Sequence, residues 1–183
     1  MRIIGGEFRG RKIRQPGTGA VRPTKDRIRE AVFNIVAAEV PGAKVLDIFS
    51  GSGAYGLEAV SRGAEKAVLV ESDRSSAGTI SENVRALGVG DKVRTEVADA
   101  FETVESLSED KERFDLVFAD PPFGKGLAKK TLLIINQYDI LFPSGLLIIE
   151  HHAEECLPET EGNLSVYKKK TYGDILISVY SRK

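Results

Sequence analysis

The chain has little cysteine and little histidine, and no long apolar run. A single cysteine, Cys156, in 183 residues rules out an internal disulfide. A lone thiol suits a reducing compartment, and Cys156 reads as an ordinary thiol. With only the pair His151 and His152 to join it, the sequence offers too few ligands at useful spacing for a zinc site, so no metal is expected. The opening "MRIIGGEFRGRKIRQ" has no apolar stretch of signal-peptide length, and no segment approaches the roughly 20 apolar residues of a membrane helix. The expectation is a soluble, cytoplasmic protein with no membrane partner, in which nothing demands more than a monomer.

An excess of charge is also missing, since the formal net charge is −1. The average conceals an asymmetry. Residues 1–30 hold nine Arg or Lys against three acids, a net +6, while the remainder holds seventeen against twenty-four, a net −7. A basic arm on an acidic body fits a polyanionic partner, although a solvated basic surface would look the same. The interleaved glycines and Phe8 favour a nucleic acid.

What is present reads in two parts. "MRIIGGEFRGRKI" predicts two short strands around Gly5, Gly6 and Gly10, a hairpin, and the Gly/Pro-rich segment 14–23 predicts a loop. Ile28, Ala31, Val32, Ile35 and Val36 recur at helical spacing, so 24–39 predicts an amphipathic helix capped by Thr24 and ended by Pro41-Gly42. We therefore expect residues 1–40 to form a basic hairpin arm and linking helix, and 41–183 a catalytic domain. From Ala43 strands alternate with helices: strands at 44–49, 66–71, 92–97, 114–120 and 145–150, helices at 54–62, 74–87, 100–107 and 127–141. That alternation implies right-handed crossovers and a parallel sheet covered on both faces. The tail, "NLSVYKKKTYGDILISVYS", reads as strand, turn, strand, an antiparallel hairpin at the sheet edge.

Ligands of such sheets sit at the carboxyl ends of the strands. Four strand ends here carry unusual groups. "DIFSGSGAYG" contains G-x-G-x-x-G, in which Gly51 and Gly53 let a ligand approach the backbone. A dinucleotide would put its pyrophosphate at the following helix N-terminus, and Asp47 would then add negative charge to a diphosphate site. A cofactor with an ammonium and a sulfonium, S-adenosyl-L-methionine, reverses that sign. Asp47 could instead simply hold the loop. Glu71 in "LVESD" can accept from both hydroxyls of a ribose, in a nicotinamide or an adenosylmethionine cofactor alike, while Asp73 reads as a helix cap. Asp99 in "EVADAF" can accept from an adenine amino group beside the Ala100 N–H, or cap the next helix. Finally, "ADPPF" places two prolines after the fourth strand, where they stiffen the backbone and end the strand. They set the Asp120 carboxylate and the Pro121 carbonyl as neighbouring acceptors for the two N–H groups of an exocyclic amine, and Phe123 offers a face for a planar base. The plain alternative is a rigid loop with a buried Phe.

"DIFSGSG", "VESD", "VADAF" and "DPPF", in this order and spacing, resemble class I S-adenosylmethionine-dependent methyltransferases acting on exocyclic amines. "MRIIGGEFRGRKI", "RPTKDRIREAVFNI" and the terminal "YGD" narrow the resemblance to the bacterial RsmD family, over nearly the whole chain. The resemblance implies a Rossmann-like class I methyltransferase fold: a mostly parallel seven-stranded sheet with an antiparallel C-terminal hairpin, plus a small N-terminal basic β-hairpin and helix. It implies transfer of a methyl group from S-adenosyl-L-methionine to the 2-amino group of a guanine in 16S rRNA, free or in an assembling small ribosomal subunit. Carried onto these positions, it places the cofactor on Asp47, Ser50, Gly51, Gly53, Glu71, Ser72, Asp99 and Ala100, with Thr24 and Arg27 closing over its methionine end. It gives the amine to Asp120, Pro121, Pro122 and Phe123, and RNA phosphates to Arg2, Arg9, Arg11, Lys12, Arg14 and Arg22. Lysines 168–170 read better as a solvated turn. Asp stands at 120 where many relatives sharing the motif carry Asn. A nicotinamide oxidoreductase, a DNA amine methyltransferase and an RNA-binding module without activity are the rival readings.

Overall fold

In the computed structural model, residues 1–17 and 23–183 are described, with the side chains of 23–25 excepted. After the arm, the elements in chain order begin with α1 (Pro23–Ile35), β1 (Lys44–Asp47), α2 (Ala54–Ser61), β2 (Lys66–Val70) and α3 (Arg74–Leu87). β3 (Val93–Glu96), α4 (Ala100–Glu109), β4 (Phe114–Ala119) and α5 (Leu127–Tyr138) follow. The chain ends in β5 (Leu141–His152), β6 (Thr160–Glu161), β7 (Leu164–Tyr172) and β8 (Ile175–Arg182). One sheet runs in the order β3-β2-β1-β4-β5-β8-β7-β6. β1 pairs in parallel with both β2 and β4, and β5 pairs in parallel with β4 and antiparallel with β8. Strand order therefore reverses between β1 and β4, which opens a crevice beyond their carboxyl ends. The expected Rossmann-like fold is present, with the two-residue β6 as an eighth strand at the edge.

Alternation along the strands divides the core in two. On one face Val45, Leu69, Leu116 and Phe118 pack with Leu57, Val60, Ile80 and Leu87, and with Ile28, Val32, Phe33 and Val36 of the α1 segment. On the other, Leu46, Val70 and Val117 pack with Val104 and Leu107 of α4 and Ala128, Leu132 and Ile135 of α5. Each such buried Leu or Phe side chain contributes about 1.5–3 kcal/mol relative to exposure. Local chemistry sets the helix ends. Asp73 accepts from the Ser76 N–H at 2.8 Å to start α3, and those bonds hold its carboxyl below the ordinary value.

Several expected boundaries need correction. α1 ends at Ile35 and not near residue 39, because its last apolar residues Val36 and Val40 are drawn into the core by turns. α5 stops at Tyr138, where Asp139 turns left-handed (φ 49°), so Leu141 begins a strand and does not end a helix. β5 starts earlier than expected, and its register against β4 jumps from Phe114↔Leu141 to Leu116↔Leu146, so Phe142–Gly145 bulges. In the arm, the two expected strands reduce to a single antiparallel bridge, Arg2↔Lys12.

The two segments still bond to each other, through the Ile3 N–H to the Arg11 carbonyl, the Gly10 N–H to the Ile3 carbonyl and the Ile13 N–H to the Met1 carbonyl at 2.9–3.1 Å, while the polar groups between them go to α2. Ile3 and Ile13 are buried in the first core cluster. The Ile4 and Gly5 N–H groups donate to Glu58 of α2 at 2.8 and 2.7 Å. The Glu7 N–H caps the Ser61 carbonyl at 2.7 Å, and the Phe8 N–H donates to Ser61 Oγ at 2.9 Å. Gly6 lies against this helix end with φ 75°, and a Cβ there would sit 1.8 Å from the Ser61 oxygen, so only glycine fits.

Candidate active site

The loop after β1 turns in place through Gly51 and Gly53, both at positive φ. A Cβ on Gly53 or Gly56 would strike Leu69 at about 3 Å, whereas the space beside Gly51 is open. The first glycine thus borders open space and the third lets α2 pack on β2. Ser50, buried, donates through Oγ to the Asp47 carbonyl at 2.7 Å. Glu71, at the end of β2, accepts from the Gly51 N–H through Oε2 and from the Asp73 N–H through Oε1, both at 2.8 Å. Each carboxylate oxygen retains acceptor capacity. Ser72 beside it is exposed.

Asp47 is 1% exposed and accepts from the Gly56 N–H at 3.2 Å. Burial pushes its carboxyl up to about 7, opposed by that hydrogen bond and reinforced by repulsion from Asp120 and Glu71. Carboxylates from the ends of β2 and β4 therefore both bear on the one at the end of β1. A diphosphate would add to that repulsion, and a ligand carrying positive charge relieves it. The donor set thus fits a cofactor with an ammonium and a sulfonium better than a dinucleotide.

At α4, Asp99 caps the helix, taking the Phe101 and Glu102 N–H groups at 2.8 and 3.2 Å, both on Oδ1. Ala100 is buried as its first residue. Phe49 and Phe101 meet edge to face at 5.9 Å beside them. At β4, Asp120 is half-buried, Pro121 buried and Pro122 exposed. Phe123 is 42% exposed, so it is not a buried core Phe, and its ring meets that of His152 in a T-shaped contact at 6.2 Å. Its ring is accessible for stacking.

Two neighbours of Asp120 escaped the sequence reading. Tyr55, the fifth residue of the glycine motif, stacks on Phe118 at 5.3 Å and donates to Glu150 Oε2 at 2.9 Å. Burial, then the charges of Glu150 and Asp120, hold the Tyr55 hydroxyl well above its ordinary value, so it stays protonated. Glu150 is 5% exposed and lies near the end of β5, next to β4. A carboxylate near a strand's carboxyl end was the signal used at β1, β2 and β4, and it applied here too.

The proposed RNA contacts divide. Arg2, Arg9 and Lys12 are exposed. Arg11 and Arg14 are exposed as well, but Arg11 donates to the Ala86 and Leu87 carbonyls at the end of α3, and Arg14 forms a surface ion pair with Glu82 at 2.6 Å. Both therefore help dock the arm. Asn83, 2% exposed, completes the docking. It accepts from the Arg14 N–H and donates to the Arg14 and Ser52 carbonyls, at 2.7, 2.9 and 3.0 Å, joining the arm to the glycine loop. Arg27 lines a depression of about 310 Å3 with Arg2, Arg9 and Gly10, so the structure places it beside the arm. Arg22 and the Thr24 side chain lie outside the described residues. Among the described residues no cluster of three potential metal ligands occurs, and no helix is long and apolar enough to cross a membrane.

The family described as conserved hypothetical protein 95 matches residues 1–181. "Ribosomal RNA small subunit methyltransferase D" of Escherichia coli (strain K12) is 37% identical, covering 100% of this chain and 90% of its own. The protein of the same name from Haemophilus influenzae is 31% identical, over 98% and 93%. Among solved structures, a hypothetical protein of Thermus thermophilus superposes with a TM-score of 0.83 at 30% identity, over 98% of each chain.

Proposed function

Since this chain belongs to the family described as conserved hypothetical protein 95, we propose that it is an S-adenosylmethionine-dependent methyltransferase of small-subunit ribosomal RNA, acting on the 2-amino group of a guanine. The observation that carries this reading is the crevice in which the Asp120 and Glu71 carboxylates both bear on buried Asp47, beside the Asp-Pro-Pro-Phe loop with its exposed Phe123 ring. The names of the two full-length relatives support the ribosomal RNA substrate.

When bound, the cofactor supplies an electrophilic methyl group on a sulfonium. Asp47 and the loop through Ser50, Gly51 and Gly53 hold its methionine end, where positive charge draws the Asp47 proton off. Glu71, with Ser72, holds the ribose. Asp99 keeps Oδ2 for the adenine amino group while Oδ1 caps α4, and the Ala100 N–H meets a ring nitrogen. Asp120 and the Pro121 carbonyl accept the two N–H groups of the guanine amine, so its lone pair is directed into the crevice. Pro122 keeps that backbone rigid and Phe123 stacks on the base. Asp120 also stabilises the positive charge that develops on nitrogen and is placed to take up the released proton. Alignment of this kind lowers a barrier by roughly 7–11 kcal/mol when geometry is ideal. The guanine must be unpaired or flipped to reach Phe123, at a cost of a few kcal/mol.

The test is transfer of labelled methyl to small ribosomal subunits, purified 16S rRNA and DNA, followed by nucleoside mass spectrometry. Label in N2-methylguanosine of rRNA is expected. Label in DNA alone, or in another nucleoside, overturns the assignment.

A further inference from the structure

The carboxylates that suit the crevice to a cation pose a difficulty for RNA, whose phosphates they repel. A polyanion can settle over Asp47, Glu71 and Asp120 only if cations on the rim offset them. The arm does so from the face of the sheet that carries α1, α2 and α3. The opposite face carries α4 and α5, and α5 begins directly after the Asp120–Phe123 loop. Its buried side is Ala128, Thr131, Leu132 and Ile135, so helical spacing turns Lys129 and Lys130 outward. Lys125 precedes it, exposed, two residues beyond Phe123.

These three lysines are not equivalent. The Lys130 ammonium sits 4.1 Å from the centroid of the Phe101 ring and so covers the Phe49–Phe101 pair. Lys125 and Lys129 form no ion pair among the described residues. That contrasts with Arg11 and Arg14, which are occupied in docking the arm. Two residues of chain span at most about 7 Å, so Lys125 cannot lie far from a base stacked on Phe123.

We propose that Lys125 and Lys129 form a second phosphate-contact surface, which grips the RNA backbone beside the target guanine from the side opposite the arm. This rests on the RNA methyltransferase reading above. The arm and this surface then bracket the acceptor loop, and the backbone crosses the crevice between them. Contacts to phosphate position the strand and carry no sequence information.

The test measures binding of purified 16S rRNA to the full chain saturated with S-adenosylhomocysteine, with salt varied from about 50 to 200 mM. Each single-strand phosphate contact contributes roughly 0.7 to the slope of log affinity against log salt. The double variant K125Q/K129Q should bind about tenfold more weakly at the low-salt end, with a slope shallower by about 1.4. S-adenosylhomocysteine affinity should be unchanged, and K125R/K129R should restore both RNA affinity and slope. An unchanged affinity and slope overturn the proposal, as does weaker binding at an unchanged slope. Intact rRNA binding with lost transfer to small subunits also overturns it, since the surface would then meet a ribosomal protein. If wild type methylates rRNA and K125Q/K129Q matches it in binding and transfer, only this surface fails. If wild type does not methylate rRNA, the functional reading itself fails.

Discussion

Replacing Asp47 by Asn removes a proton that burial holds in the crevice. Asp47 is 1% exposed, and burial, with repulsion from Asp120 and Glu71, raises its carboxyl from 3.8 to about 7. The unfolded chain releases that proton near 3.8 and the native state keeps it to about 7. The stability it confers is therefore fully present below the lower value, falls as pH rises between the two, and is flat above the upper one. At roughly 1.4 kcal/mol for each unit, the whole window amounts to about 4 kcal/mol. Asn retains an oxygen to accept the Gly56 N–H, so the substitution removes the titration and spares the loop. The assay is urea unfolding of the ligand-free protein at intervals from about pH 5 to pH 8. The stability of wild type minus that of Asp47→Asn should fall by roughly 1.4 kcal/mol per unit up to about pH 7, then level off. A difference independent of pH would refute the reasoning, because the carboxylate would then be ionised throughout. The same proton links to ligand: S-adenosylmethionine affinity of wild type should rise with pH up to about 7, and that of the Asn variant should rise less.

Three further outcomes follow from the arm. Gly6→Ala forces a Cβ onto the Ser61 carbonyl in a left-handed backbone and should cost on the order of 2–5 kcal/mol, read as a lower urea midpoint. Glu58→Gln leaves Arg29 buried without its full counter-charge and weakens the bonds to Ile4 and Gly5; a loss of about 3–5 kcal/mol is expected, with faster hydrogen exchange at both amides. For RNA, changing Arg2, Arg9 and Lys12 together to Gln should flatten the salt slope by about 2, at roughly 0.7 per contact, while Arg14→Gln, already paired with Glu82, should change it less. Equal effects in the two variants would show that docking and RNA contact are not separated as described.

The catalytic body was legible because its signals are local. α3 runs from Arg74 to Leu87 as its Asp73 cap, apolar spacing and Gly88 stop indicate. β1 and β4 end at or one residue before their carboxylates, where the Gly51–Gly53 turn and the Pro121-Pro122 pair follow, and β2 ends one residue before Glu71, where the Asp73 cap starts α3. The arm was less legible, since its hydrogen bonds close on Glu58, Ser61 and Asn83, some fifty to seventy residues away, and no local pattern announces them. For the same reason Arg11 and Arg14 read as free cations: only the packed structure shows the α3 carbonyls and Glu82 beside them. The β5 bulge at Phe142–Gly145 hid the first turn of a strand behind a Pro-Ser-Gly run that resembles a loop. At Asp99, capping geometry and ligand geometry share one residue, so the sequence left both open and the structure shows the cap in use.

The most direct test of the central claim compares Asp120→Ala with wild type in methyl transfer to small-subunit rRNA, alongside calorimetric titration with S-adenosylmethionine. Transfer should be abolished while cofactor affinity stays within a few-fold of wild type, because Asp120 serves the acceptor amine. Parallel loss of both, or transfer that persists at the wild-type rate, would contradict that assignment.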